Sequence, residues 1–170
     1  MKHLKLFSAI PLLLTLSIPT FAADNNASAA FDRLKKLAGT WEATTPDGKS
    51  ERVVYEVIAN GTAVIERDAH EGGTMETVYH LDGDKLVLEH YCMAGNQPRM
   101  RATVYNPNTG ELAFDFVGVE NLSTPNAGYM HHAKFRFVDD NQFAAEWTFF
   151  QDGKAKFTET IQSKRIQRIQ

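Results

Sequence analysis

From residue 39 to residue 166 the chain divides into ten short β-rich runs separated by turn signals. This rhythm constrains the fold more than any other feature. The runs cover residues 39–45, 50–59, 62–70, 74–81, 85–93, 99–105, 111–119, 129–138, 142–151 and 154–166. Pro46-Asp47-Gly48, Asp82-Gly83-Asp84 and Asp152-Gly153 stand between some of them, and Asn60-Gly61 is the strongest two-residue hairpin signal. The longest connection is 120–128. Hairpin-length links with no helix between strands predict an all-β, antiparallel, up-and-down meander.

A ten-stranded open sheet leaves two long edges and a bare apolar face, and closure into a barrel removes both problems. Alternation supplies the faces. Leu112, Phe114 and Phe116 share one side of their strand; Tyr129, His131, Ala133, Phe135 and Phe137 share one side of another. Phe143, Ala145, Trp147 and Phe149 do the same on a third. These aromatic faces are expected to point inward and the charged faces to water. A barrel of this width is not readily filled by its own side chains, so an interior cavity is expected.

Residues 1–22 read as a cleavable signal peptide. Lys2, His3 and Lys5 form a basic start, an apolar run follows, and Thr20-Phe21-Ala22 puts small residues at the cleavage site. Residues 23–170 then form a single domain, exported to the periplasm or secreted. Ser28 is the expected N-cap of a short helix carrying Phe31, Leu34 and Leu37 on one side, and Gly39 is expected to stop it. The whole chain has a formal net charge of −3, and loss of the leader's two lysines makes it more negative. Nucleic acid and anionic membrane surfaces are disfavoured partners, because both require clustered Lys and Arg. Cys92 is the sole cysteine, so no intramolecular disulfide exists and packing must supply the stability.

Gly39-Thr40-Trp41 at the entrance to the first strand resembles the signature of the calycin superfamily: lipocalins, fatty-acid-binding proteins and nitrobindin-like barrels. A basic residue in the last strand, Lys164 or Arg165, completes it. The resemblance implies that Gly39, Trp41 and Arg165 close one end of the barrel, with the basic side chain covering the Trp. Ten strands behind a helical segment are more similar to the fatty-acid-binding or nitrobindin arrangement, and to bacterial lipocalin-like domains of unknown function, than to eight-stranded lipocalins. The helical lid of fatty-acid-binding proteins is missing, since a tight turn joins the first two strands.

The function expected is binding of a small, largely hydrophobic molecule inside the barrel. Burial against Phe114, Phe116, Phe135, Trp147 and Phe149 would supply affinity, with His90, His131 and Arg67 orienting a polar end. His90 shares a face with Leu86, Leu88 and Cys92 in the segment that leads to Asn96-Gln97-Pro98-Arg99. A His90–His131 pair leaves open a haem- or metal-binding barrel, since nitrobindin-like barrels bind haem through one His. No His-x-His or HExxH spacing supports a metal, and no cofactor is otherwise called for. A filled barrel serving protein interaction in the envelope is the other alternative. No nucleophile–base motif or phosphate-cradling loop points to an enzyme. The carboxylates Glu51, Glu56, Glu66, Asp115 and Glu146 fall on faces read mostly as outward.

Overall fold

The computed structural model describes residues 25–70 and 73–168. The expected signal peptide lies outside the described residues. One helix, α1 (Asn25–Lys35), precedes ten strands: β1 (Gly39–Thr44), β2 (Ser50–Ile58), β3 (Ala63–His70), β4 (Gly73–Asp82), β5 (Lys85–Tyr91), β6 (Gln97–Asn106), β7 (Glu111–Glu120), β8 (Tyr129–Phe137), β9 (Gln142–Gln151) and β10 (Lys154–Arg168). Each strand pairs antiparallel with its sequence neighbours, and β1 also pairs with β10, which closes the barrel. The all-β meander is therefore the fold.

The helix begins three residues before the expected N-cap, and Ser28 lies inside it. The apolar stripe starts with small residues: Ala30 is buried with Phe31 and Leu34, and Ala27 packs against the same core. Two turn hydrogen bonds, Leu37 N to Leu34 O and Ala38 N to Lys35 O, finish the helix before Gly39, which instead opens β1. The Asn60-Gly61 link is also longer than a two-residue turn. Ile58 pairs with Ala63, so residues 59–62 form the loop, with Ala59, Asn60 and Gly61 all at positive φ. The strand register is nevertheless the one a hairpin centred there requires.

The closed end is built around Trp41, which is fully buried. Its indole Nε1 donates to Leu37 O at 2.7 Å, and the Arg165 guanidinium lies 4.2 Å over its ring. Arg165 also donates to Lys36 O and Ala38 O, both at 2.7 Å, and to Asp140 O at 2.9 Å. One side chain thus ties the helix exit to the β8–β9 turn. Gly39 has φ 136°, and a Cβ there would stand 2.3 Å from Gln167 O and 2.9 Å from an Arg165 nitrogen. Backbone conformation and the nearness of β10 both require glycine at this position. Arg33 on α1 adds a second clasp, donating to Asp139 O at 2.6 Å with its guanidinium 4.3 Å over Phe137.

Above Trp41 the interior is packed with rings. Trp41, Tyr55 and Phe143 meet edge-on with centroids 4.8 to 6.3 Å apart. Tyr79, Phe114 and Phe135 form a second cluster at 6.0 to 6.2 Å. Edge-to-face contacts of this kind add to the stabilisation from burial itself. The closed half of the barrel is solid, and open space lies toward the other end.

Candidate functional site

Pairing across the strands decides what faces that space. Residues directly opposite one another in an antiparallel ladder share a face. Tyr55 pairs with Glu66, Glu66 with Thr77, and Thr77 with His90. One row of inward side chains therefore runs from β2 to β5. Val53, Asp68 and Met75 form the next row toward the mouth. On the opposite wall Ser163 pairs with Phe143, Ile161 with Ala145, and Glu159 with Trp147.

These rows enclose a cavity of about 60 Å³, room for roughly four or five water-sized groups. Val53, Met75, Met130, Phe143, Trp147 and Ile161 form most of its apolar wall; Tyr55, Glu66, Asp68, Thr77, His90 and Glu159 supply the polar groups. Asp68, Met75, Met130, Glu159 and Ile161 are partly exposed, so the space communicates with solvent at the mouth.

The polar wall is organised. His90 is buried, its Nδ1 lies 2.9 Å from the Thr77 hydroxyl, and its ring is tilted against Trp147 at 5.1 Å. Tyr79, fully buried below the cavity, donates its hydroxyl to Glu66 at 2.5 Å. Tyr55, on β2, stands opposite the same carboxyl and helps to hold its charged form. Burial outweighs these hydrogen bonds and, helped by the nearby Asp68, raises Glu66 from the usual 4.5 to about 7. Both phenols are pushed well above their ordinary value, first by burial and then by the adjacent Glu66 charge. The tyrosines are thus proton donors to a carboxyl that changes charge near neutrality.

Of the expected binding residues, His90 and Trp147 line this cavity. Phe114 and Phe135 are fully buried, but they fill the closed half instead of lining the open one. Phe149 stacks on the half-exposed Phe157 at 5.1 Å, beside Gly128. Arg67 faces outward, a correction to the inward cation expected there. It is bonded to Glu56 at 2.7 Å and Glu76 at 3.0 Å, and its side chain is 45% exposed. The inward positions on β3 belong to Val64, Glu66 and Asp68, because Tyr55 and Val53 fix the register; Glu66 is thus not outward as its sequence context suggested.

His131 is displaced by a bulge. The β8–β9 register slips between Met130 and His132, so Met130 takes the inward place and lines the cavity. The His131 ring is stacked between Phe150 at 3.9 Å and Phe116 at 4.6 Å. Burial, and then His132, lower its pKa, which favours the neutral ring. The structure does not bring His90 and His131 together in the cavity. Among the described residues no group of three or more His, Cys, Asp or Glu is placed to hold a metal ion.

Cys92 is partly buried at the start of the β5–β6 turn, where its amide donates to Asn96 O at 3.1 Å. Asn96 is itself buried, and its Nδ2 donates to Gly128 O at 2.8 Å, tying two mouth loops together. Asn96→Ala is expected to cost about 1–2 kcal/mol and to lower Tm by several degrees, measured by thermal unfolding followed by circular dichroism. An unchanged Tm would mean that the tie contributes nothing.

Fold and site together define a closed ten-stranded antiparallel barrel with a small, acid-lined cavity at its open end. No family model matches the chain, and no curated protein matches it. Among solved structures it is similar to EF1p2_mFAP2b bound to DFHBI. The TM-score is 0.32 and the identity 12%, over 86% of this chain and 99% of that one.

Proposed function

We propose that this chain is an exported, calycin-like barrel that binds a small, largely apolar molecule at its open end. The carrying observation is the cavity itself: an apolar wall that includes Trp147, Phe143 and Ile161, set against a polar wall of Tyr55, Glu66, Thr77 and His90. Convergent polar groups in a mostly apolar recess are what fix a ligand's orientation once burial has supplied affinity. The size restricts the ligand, or the part of it that enters, to a few heavy atoms. Export rests on the basic start and apolar run of residues 1–22. The role is binding, and no catalytic role is assigned.

Native mass spectrometry of the protein recovered from an envelope fraction tests both parts. The expected spectrum shows a chain lacking its first 22 residues, carrying a small-molecule adduct that is lost on denaturation. Ala145→Leu, which fills the cavity from β9, is expected to abolish the adduct. A full-length mass would refute export. No adduct, together with no hit in a ligand-observed NMR screen of small fragments, would leave the barrel a filled scaffold.

A further inference from the structure

We infer that the ligand group entering this cavity is a small organic cation, a primary or methylated ammonium, held by the carboxylates of Glu66, Asp68 and Glu159 and by the ring of Trp147. The inference rests on the proposal that the cavity is a binding site, and it names the chemical class bound there.

Charge composition is the first ground. Three carboxylates line the cavity, from β3 and β10, and among the described residues no Lys or Arg side chain does. The one cation expected to face inward, Arg67, is spent on the outer surface between Glu56 and Glu76. A fatty acid or other carboxylate would meet like charge from these groups. An ammonium would meet opposite charge in a recess partly screened from water, where Coulomb attraction is stronger than at the surface.

Aromatic geometry is the second ground. Trp147 lines the same cavity, with Phe143 and Tyr55 beside it, and ammonium groups are attracted to the faces of such rings, Trp most strongly. Size is the third. About 60 Å³ takes an ammonium and a short alkyl stem, not a flat aromatic system of several rings.

The polar groups on the surrounding strands fit the same class. Tyr55 on β2 and Tyr79 on β4 hold Glu66 from below, Thr77 on β4 engages His90 on β5, and Asp68 and Glu159 stand nearer the mouth. Cation binding therefore favours the carboxylate form of Glu66. Binding strengthens as pH rises through the Glu66 value of about 7, and below that value binding releases a proton from Glu66.

Three probes of equal length separate the possibilities: n-butylammonium, n-butanol and butyrate, titrated calorimetrically at pH 8 and pH 5.5. The expected order is butylammonium tightest, butanol weaker and butyrate undetectable, with the ammonium affinity falling at pH 5.5. Glu66→Gln keeps the side chain's size and removes its charge. It is expected to weaken butylammonium by about 10- to 100-fold, the loss of one charge-assisted hydrogen bond, and to leave butanol unchanged. Glu56→Gln, on the outer face, is the control for a general change in surface charge.

Butanol binding as tightly as butylammonium, insensitive to Glu66→Gln, would overturn the cation and leave the cavity a binding site for neutral molecules. Butyrate binding would overturn it outright. If none of the three binds while the fragment screen finds another ligand, the ammonium class fails alone. If that screen is empty as well, the binding site fails with it.

Discussion

Trp41→Ala is expected to cost about 3–5 kcal/mol, the largest loss from any single substitution at the closed end. The indole is fully buried, meets Phe143 and Tyr55 edge-on, and lies under Arg165. Truncation opens a void beneath the helix exit that rigid strands cannot collapse into. It also removes the apolar floor on which the Arg165 guanidinium rests. The Leu37 carbonyl is not orphaned, since Arg165 still reaches it at 3.3 Å, so the loss comes mainly from packing. Trp41→Phe keeps a ring but loses the Nε1–H bond, and about 1–2 kcal/mol is expected there. Urea unfolding followed by circular dichroism measures both. A loss below about 1 kcal/mol for the alanine variant would show that the closed end is held by its clasp alone.

The second large effect is a dependence of stability on pH. Burial raises Glu66 from 4.5 to about 7, so between those values the folded chain keeps a proton that the unfolded chain has released. The contribution of this group is fully present below pH 4.5, is lost as pH rises through 7, and levels off above. The span corresponds to at most about 3 kcal/mol, and less to the extent that water reaches the carboxyl through the mouth. Glu66→Gln has no proton to lose, and its amide oxygen can still accept from Tyr79 and Tyr55. The difference in unfolding free energy between this variant and the wild type is expected to move toward the variant from pH 5 to pH 8. A difference that stays flat would show that Glu66 is ionised throughout. The same proton links stability to ligand, because an ammonium seated against Glu66 supplies the positive charge that the fold withholds.

The barrel was legible because its information is local. Turn residues and alternation marked ten strands to within two residues or so at each end, and the one long-range pairing, β1 with β10, followed from the need to remove two open edges. The site was harder to read because facing is inherited across the sheet. On β3, Ala63, Ile65 and Ala69 make the more apolar side, which argues for an inward Arg67. Yet pairing puts Tyr55 opposite Glu66 and Val53 opposite Asp68, and the other side goes in. The Asn60-Gly61 hairpin already implied that pairing. Following the inward face of β2 across it would have placed both carboxylates in the interior.

His131 is a different case. Alternation in β8 is regular on both sides of it, and a bulge that inserts one residue has no signature in the residues themselves. Phe114 and Phe135 show a third limit, since pattern gives the direction of a side chain but not whether it fills a space or borders one. Ring packing left 60 Å³ in a barrel whose width suggested far more.

The pairing of β1 with β10 sets an order on assembly. Ala43 finds Ser163, and Trp41 finds Arg165, only when the last strand has arrived. A chain emerging from the ribosome carries β1 as an open edge until β10 has been made. Contacts so distant in sequence make closure slow relative to the hairpins that precede it. Until then the inward faces, including the Glu66 row, stand exposed to water. The closed, acid-lined cavity, with Glu159, Ile161 and Ser163 of β10 in its wall, therefore depends on the strand made last.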